Sequence, residues 1–134
     1  MDYDIKSNLQ VNAAQIENVT GNGTVTGGIL DTADFDLGVM FALMALNFTD
    51  GVHTLLIEES DDSGMAGATV VAGDQLIGTL PAATAATAEG AKVGTVGVIS
   101  HKRYLRSSVV STGVTTGSDV VVSSVMKGEN LPIA

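Results

Sequence analysis

The chain has no cysteine and no tryptophan, only two prolines, and aromatic residues fill just 4% of its 134 positions. The missing cysteine excludes disulfides and thiolate metal sites, a pattern that suits a reducing compartment. Two histidines without cysteine make a zinc site improbable as well. With two Tyr and three Phe, there is little on which a sugar could stack. Charge is sparse: 16% of residues are charged and 45% hydrophobic. That balance argues against disorder, which needs few apolar residues and many charges. It also hints that some surface is covered by a partner or by copies of the chain. Basic residues are scarcer than acidic ones, and the formal charge is −9. Such a chain is repelled by nucleic-acid phosphates and anionic membrane surfaces, so neither is an expected partner. The longest apolar run, Gly38 to Leu46, falls well short of the about 20 residues that a membrane-crossing helix needs. The opening MDYDIKSNLQ carries Asp2 and Asp4 and leads into no apolar segment, so it does not read as a secretory signal.

What remains is β-rich. The length fits one domain over residues 1–134. Val, Thr, Ser, Gly and Ala dominate the second half. The chain is organised around Phe35 to Ser60, FDLGVMFALMALNFTDGVHTLLIEES. It reads as an apolar strand, a turn at Asp50-Gly51 and a return strand, since Asp-Gly between apolar runs signals a hairpin. Val39, Phe41, Leu43 and Ala45 would share one face, and Met40, Ala42, Met44 and Leu46 the other. A strand apolar on both faces is expected at the centre of a sheet with something packed on each side. The return strand is expected to end in solvent at Glu59 and Ser60. A helix over the first run is the competing reading, disfavoured by Gly38 and by the run's shortness.

Before this stretch, Met1 to Gln10 is an arm or an opening strand. Val11 to Val19 follows, with Ile16 and Val19 the expected buried residues. Gly21 to Gly28 is a glycine-rich turn or short edge strand, and no Lys follows to make a phosphate loop. After it, Asp61 to Gly64 is a turn. Asp74 to Pro81 is a loop that returns two apolar residues to the core, and Ala82 to Ala91 is a low-complexity short helix or loop. Lys92–Ser100, Arg103–Ser111 and Asp119–Lys127 are expected strands. Val96 and Val98 point inward, and Val120, Val122 and Met126 oppose Val121 and Val125. Short strands with turns at roughly ten-residue intervals suggest an all-β sandwich or barrel.

Candidate chemistry is thin. His53 beside Asp50 invites a triad reading, but no G-x-S-x-G elbow occurs, and a solvent-facing turn histidine is expected instead. Acidic residues crowd Asp31 to Asp62 without calcium-loop spacing, so solvated loops and strand ends are expected. Three N-x-[ST] matches, at Asn18, Asn22 and Asn47, carry little weight without a signal sequence. Three of the six Lys and Arg residues fall in His101-Lys102-Arg103-Tyr104-Leu105-Arg106. This segment either recognises a phosphate or acidic partner surface, or balances nearby carboxylates such as Glu58 and Glu59 across strands.

Taken in order, LDTADFD, the apolar strand, TDGVHTLLIEESDDSG, DQLIGTLP and VGVISHKRYLRSSVVSTGVTTGSDVVVSSVM resemble small structural proteins of tailed bacteriophages of the capsid cement or decoration type. The likeness runs over roughly Leu30 to Leu131. It includes the Lys-Arg-Tyr-x-Arg core at Lys102, Arg103, Tyr104 and Arg106, and departs in the Ala82 to Ala91 insert and the Ala/Met-rich central strand. The resemblance implies a single antiparallel β-sandwich, jelly-roll-like. Such a protein is not an enzyme, takes no cofactor, and bridges major capsid protein subunits on the virion exterior after assembly in the host cytoplasm. Self-association as a dimer or trimer is expected. The expected contacts are Asp2, Tyr3, Asp4 and Lys6 in the N-terminal arm, with Lys102, Arg103 and Arg106. A carbohydrate-binding sandwich, a tail or baseplate component and a hydrolase using an Asp/Glu pair are the alternatives.

Overall fold

Alternation of apolar and polar residues builds ten strands in the computed structural model, which describes residues 9–33, 38–84 and 92–127. The strands are β1 (Leu9–Val19), β2 (Gly23–Asp31), β3 (Val39–Leu46), β4 (Val52–Ser60), β5 (Thr69–Val70), β6 (Leu76–Ile77), β7 (Ala82–Ala83), β8 (Lys92–Val98), β9 (Tyr104–Thr112) and β10 (Ser118–Lys127). Among the described residues one 3-10 turn, Gly73–Gln75, precedes β6. One sheet runs β1-β10-β3-β8-β6. The other runs β2-β9-β4-β5, with β7 also on β4. Every strand pair is antiparallel.

Successive long strands alternate between the two sheets, so β1, β3, β8 and β10 oppose β2, β4 and β9. The outer edge of β4 is shared by two short strands, β7 at His53–Thr54 and β5 at Glu58–Glu59. With the short strands β5 and β6 set aside, β1-β10-β3-β8 facing β2-β9-β4-β7 is the eight-strand order of a jelly-roll sandwich. Its core is what the period-2 pattern predicts. Phe41, Leu43, Val96, Val98, Val120 and Val122 come from one sheet and Leu55, Ile57, Leu105 and Val109 from the other, all fully buried. Each such side chain contributes about 1.5–3 kcal/mol on leaving water. Leu76 and Leu80 pack against this core from the loop region, as expected.

The expected β3–β4 hairpin does not form. β3 pairs with β10 and β8, and β4 with β9, β5 and β7. Residues 47–51 instead carry the chain across the sandwich from one sheet to the other. Asp-Gly supplied a cheap positive φ, and Gly51 has one at 92°, but so does Asn47 at 51°. Local turn chemistry fixes the backbone angles without fixing which sheet the next strand joins. The return strand does not end in solvent either, because Glu59 and Ser60 are both buried.

β3 is central, as expected, but only one of its apolar faces is covered. Val39, Phe41, Leu43 and Ala45 are buried, while Met40 and Leu46 are exposed on the outer face. The glycine-rich segment is a full edge strand, β2, with a bulge between Thr26 and Ile29 at Gly27-Gly28. The Met1–Asn8 part of the N-terminal arm, Phe35 and residues 85–91 of the Ala/Thr-rich insert lie outside the described residues.

Candidate interaction surface and its polar ties

The chemically capable side chains gather at the two ends of the sandwich. At one end, three crossings between the sheets meet: residues 20–22, 47–51 and 113–117. The Asp50 carboxylate accepts hydrogen bonds from the backbone N–H groups of Gly117 at 2.8 Å, Thr116 at 3.1 Å and Thr115 at 3.2 Å. Burial pushes this carboxyl up, but the amides of Gly117, Thr116 and Thr115 outweigh it and hold it below its ordinary value. Thr49 N–H donates to the Gly117 carbonyl, and Val114 N–H to the Asn22 side chain. Asp119 accepts from the amides of Asn47 and Asn18, and these two bonds hold it below its ordinary value against a small cost of burial. All three asparagines of the N-x-[ST] matches are thus engaged in structural contacts.

His53 belongs to this end and corrects the expectation of a solvent-facing turn residue. It is fully buried, because β4 alternates and His53 shares the inward face with Leu55 and Ile57. Its Nδ1 lies 2.8 Å from Ser111 Oγ and its Nε2 3.1 Å from the Asp50 backbone carbonyl, with Phe48 edge-on at 5.9 Å. A Ser–His pair closed off on every side holds β4 to β9. The Asp50 carboxylate, which a triad would need on the ring, is turned to the 115–117 amides instead.

The other end holds the basic segment. Its three cations do not form one patch. Arg106, on β9, lies directly opposite Glu58 on β4 and bonds it at 3.0 Å, half-buried. This is the cross-strand pairing that the sequence suggested. Arg103 sits in the turn before β9 and forks onto Asp31 at 2.9 and 2.8 Å, with its guanidinium 5.2 Å from the Tyr104 ring centre. That fork, with the Ala33 N–H, lowers the Asp31 carboxyl to about 2. Lys102 is half-buried beside a cleft of about 230 Å³ lined by Thr32, Gly38, Val39, Ile99, Ser100, His101 and Lys102. Asp2, Tyr3, Asp4 and Lys6 lie outside the described residues.

Glu59 pairs with none of these cations. Its buried carboxylate accepts from Gln75 Nε2 at 3.2 Å, Ser100 Oγ at 3.1 Å and His101 N–H at 3.3 Å. It thereby ties β4 to the 3-10 turn and to the β8–β9 connection. Gln75 also donates to the Ile99 carbonyl. Sequence reasoning did not find Gln75 or Ser100. Their partner is distant in the chain, and the one available signal was a long amide just before the Leu76-Ile77 pair. Among the described aromatics, Phe41 is buried, Phe48 packs on His53 and Tyr104 lies under Arg103, so none stands out as a sugar platform.

Fold and ties together define an antiparallel jelly-roll sandwich laced at both ends by polar side chains. The crystal structure of PBSX exported protein XepA shares the fold: TM-score 0.51 and 20% identity, over 93% of this chain and 39% of that one. The chain therefore spans about two fifths of that protein's length. No family model matches the sequence, and neither does any curated protein.

Proposed function

We propose that the chain is a structural component of a phage particle, of the capsid cement type, which binds the outside of the head and bridges capsid subunits. The observation that carries this reading is the use to which the polar residues are put. His53, Asp50, Asp119, Glu59, Arg103 and Arg106 each connect one strand or crossing to another. Side chains of this kind, spent on lacing a sandwich, suit a protein that resists deformation. A role in a phage particle is also in keeping with the fold shared with PBSX exported protein XepA. Adding many copies multiplies modest contacts into a strong grip on a repetitive shell.

The contacts are assigned to the N-terminal segment and to the cleft end of the sandwich. Arg103 and Arg106 already hold Asp31 and Glu58, so Lys102 is the better single probe there. The test is sedimentation of the chain with purified, expanded empty heads. Saturable binding, weakened by Lys102→Glu or by deletion of residues 1–8 in a protein that still folds, supports the reading. A chain that never co-sediments at any ratio rejects it.

A further inference from the structure

Asn22 closes the crossing at residues 20–22, Gly23 opens β2, and both are exposed. Asn22 is the one asparagine of the chain that glycine follows. A Cβ on Gly23 would meet nothing within 4 Å, so that side of the bond is open to water and base. The Asn22 amide is also held in one sense. Its Oδ1 accepts from the Val114 N–H at 2.8 Å, and a donor there fixes which end of the amide faces inward. Its nitrogen meets no acceptor among the described residues. We propose that Asn22 is a site of spontaneous deamidation in the folded chain, and that the product loosens the grip on the 113–117 crossing.

The Gly23 nitrogen gives its proton to base and attacks Asn22 Cγ. A bond forms between Cγ and that nitrogen, the Cγ–Nδ2 bond breaks, and Nδ2 leaves as ammonia with a proton from water. The cyclic imide then takes up one water. Opened at Cγ, it leaves aspartate. Opened at the main-chain carbonyl carbon of residue 22, it leaves isoaspartate, with the chain running through Cγ. Negative charge gathers on Oδ1 during the attack, and the Val114 N–H is already on that oxygen. Asn18 and Asn47 are turned the other way. Their nitrogens donate to the Asp119 carboxylate, which ties the leaving group and opposes charge on Cγ, and Val19 and Phe48 follow them. Asp50–Gly51 is no rival, because an ionised carboxylate held by three amides is a poor electrophile. Either product of Asn22 brings a second carboxylate to the successive amides from Val114 to Gly117, three of which Asp50 already holds, and the two repel. In isoaspartate the former Oδ1 is a main-chain oxygen, so keeping Val114 pulls on the start of β2.

The proposal concerns the chain alone and does not depend on the capsid reading. Its test is to hold the purified, folded chain in mildly alkaline buffer and follow it by anion exchange and peptide mapping. A species with one more negative charge should appear. The map should place the change at Asn22, with isoaspartate present, at least about tenfold ahead of Asn18 and Asn47. Asn22→Gln, whose longer side chain must close a larger ring, should form no such species. The same incubation in urea measures what folding does. If the Val114 bond had to break first, folding would slow the reaction by about tenfold or more. A donor that stays on the oxygen keeps the folded rate within that factor of the unfolded one. The isolated acidic species should melt below the unreacted chain. If Asn22→Gln does not fold, the peptide map of the wild-type chain decides. An Asn22 protected beyond that factor, an acidic species that persists in Asn22→Gln, or conversion spread evenly over the asparagines overturns the site. An acidic species that melts with the unreacted chain overturns the loosening.

Discussion

Gly117 has the least freedom of any residue at the laced end. Its φ is 101°, a region that L side chains avoid, and a Cβ there would run into the Val19 carbonyl and come within 3.2 Å of Thr20 Cα. Gly113 sits on the same crossing with φ 65°, but a Cβ there would meet nothing within 4 Å. The pair separates two costs that are usually confounded. Gly113→Ala should cost only the backbone penalty, about 1–2 kcal/mol. Gly117→Ala adds a collision with backbone that cannot move without breaking the Thr49–Gly117 and Asp50–Gly117 bonds, so its loss should exceed about 3 kcal/mol. Urea denaturation of the two variants checks this, and equal losses would mean that the crossing is looser than described. His53 shows the limit of residue-level reading. A histidine beside Asp-Gly carries every local mark of a turn residue, yet the alternation of β4 takes it inside. That alternation was in the sequence, since His53, Leu55 and Ile57 stand two positions apart.

At the scale of elements, the positions of the long strands β3, β4, β8, β9 and β10 were legible. But β6 lay in a stretch read as a loop, β7 in one read as a short helix or loop, β1 was not read as one continuous strand, and strand partners were not legible at all. β10 came out almost to the residue, with Val120, Val122 and Met126 inward, because period-2 patterning is local and strong. The destination of β4 was hidden for the reason given by Asp50. The same Asp-Gly chemistry closes a hairpin or turns a crossing, and the choice rests on amides of residues 115–117, more than sixty positions away. Glu59 was misread on similar grounds, since its three donors come from two other segments. Those donors make a prediction. A buried carboxylate that accepts three bonds is costly to lose, so Glu59→Ala should destabilise the fold by about 2–4 kcal/mol and Glu59→Gln by about half that. Hydrogen exchange should speed up first at residues 73–77 and 99–103, because these are what Glu59 holds. Uniform loosening over both sheets would instead make Glu59 a general core residue.

For the whole molecule, two electrostatic effects act in opposite directions as pH falls, and their order can be worked out. At neutral pH the chain carries −9, and mutual repulsion of carboxylates works against the compact state. Protonating ordinary carboxylates relieves that strain. Asp31, Asp50 and Asp119 behave differently. The Arg103 fork and the Ala33 N–H hold Asp31 at about 2, three amides hold Asp50 low despite burial, and Asn47 and Asn18 hold Asp119 low. Each carboxyl is more acidic folded than unfolded, so in acid the unfolded chain takes up protons that the folded chain refuses. The stability these three supply is complete above their ordinary value of 3.8 and drains away as pH falls below it, for Asp31 as far as about 2. Repulsion is relieved over a higher range, about pH 5 to 4, where unperturbed Asp and Glu titrate. Melting temperature should therefore hold or rise from pH 7 to about 4.5 and fall steeply below about 3.8. Asp50→Asn cannot ionise, so its slope below that point should be shallower by up to about one proton, while its stability at pH 7 is lower. A melting temperature that declines steadily from pH 7 downward would show that the carboxylate ties do not govern acid stability. An Asp50→Asn profile parallel to wild type would show that the clasp on residues 115–117 does not depend on its charge.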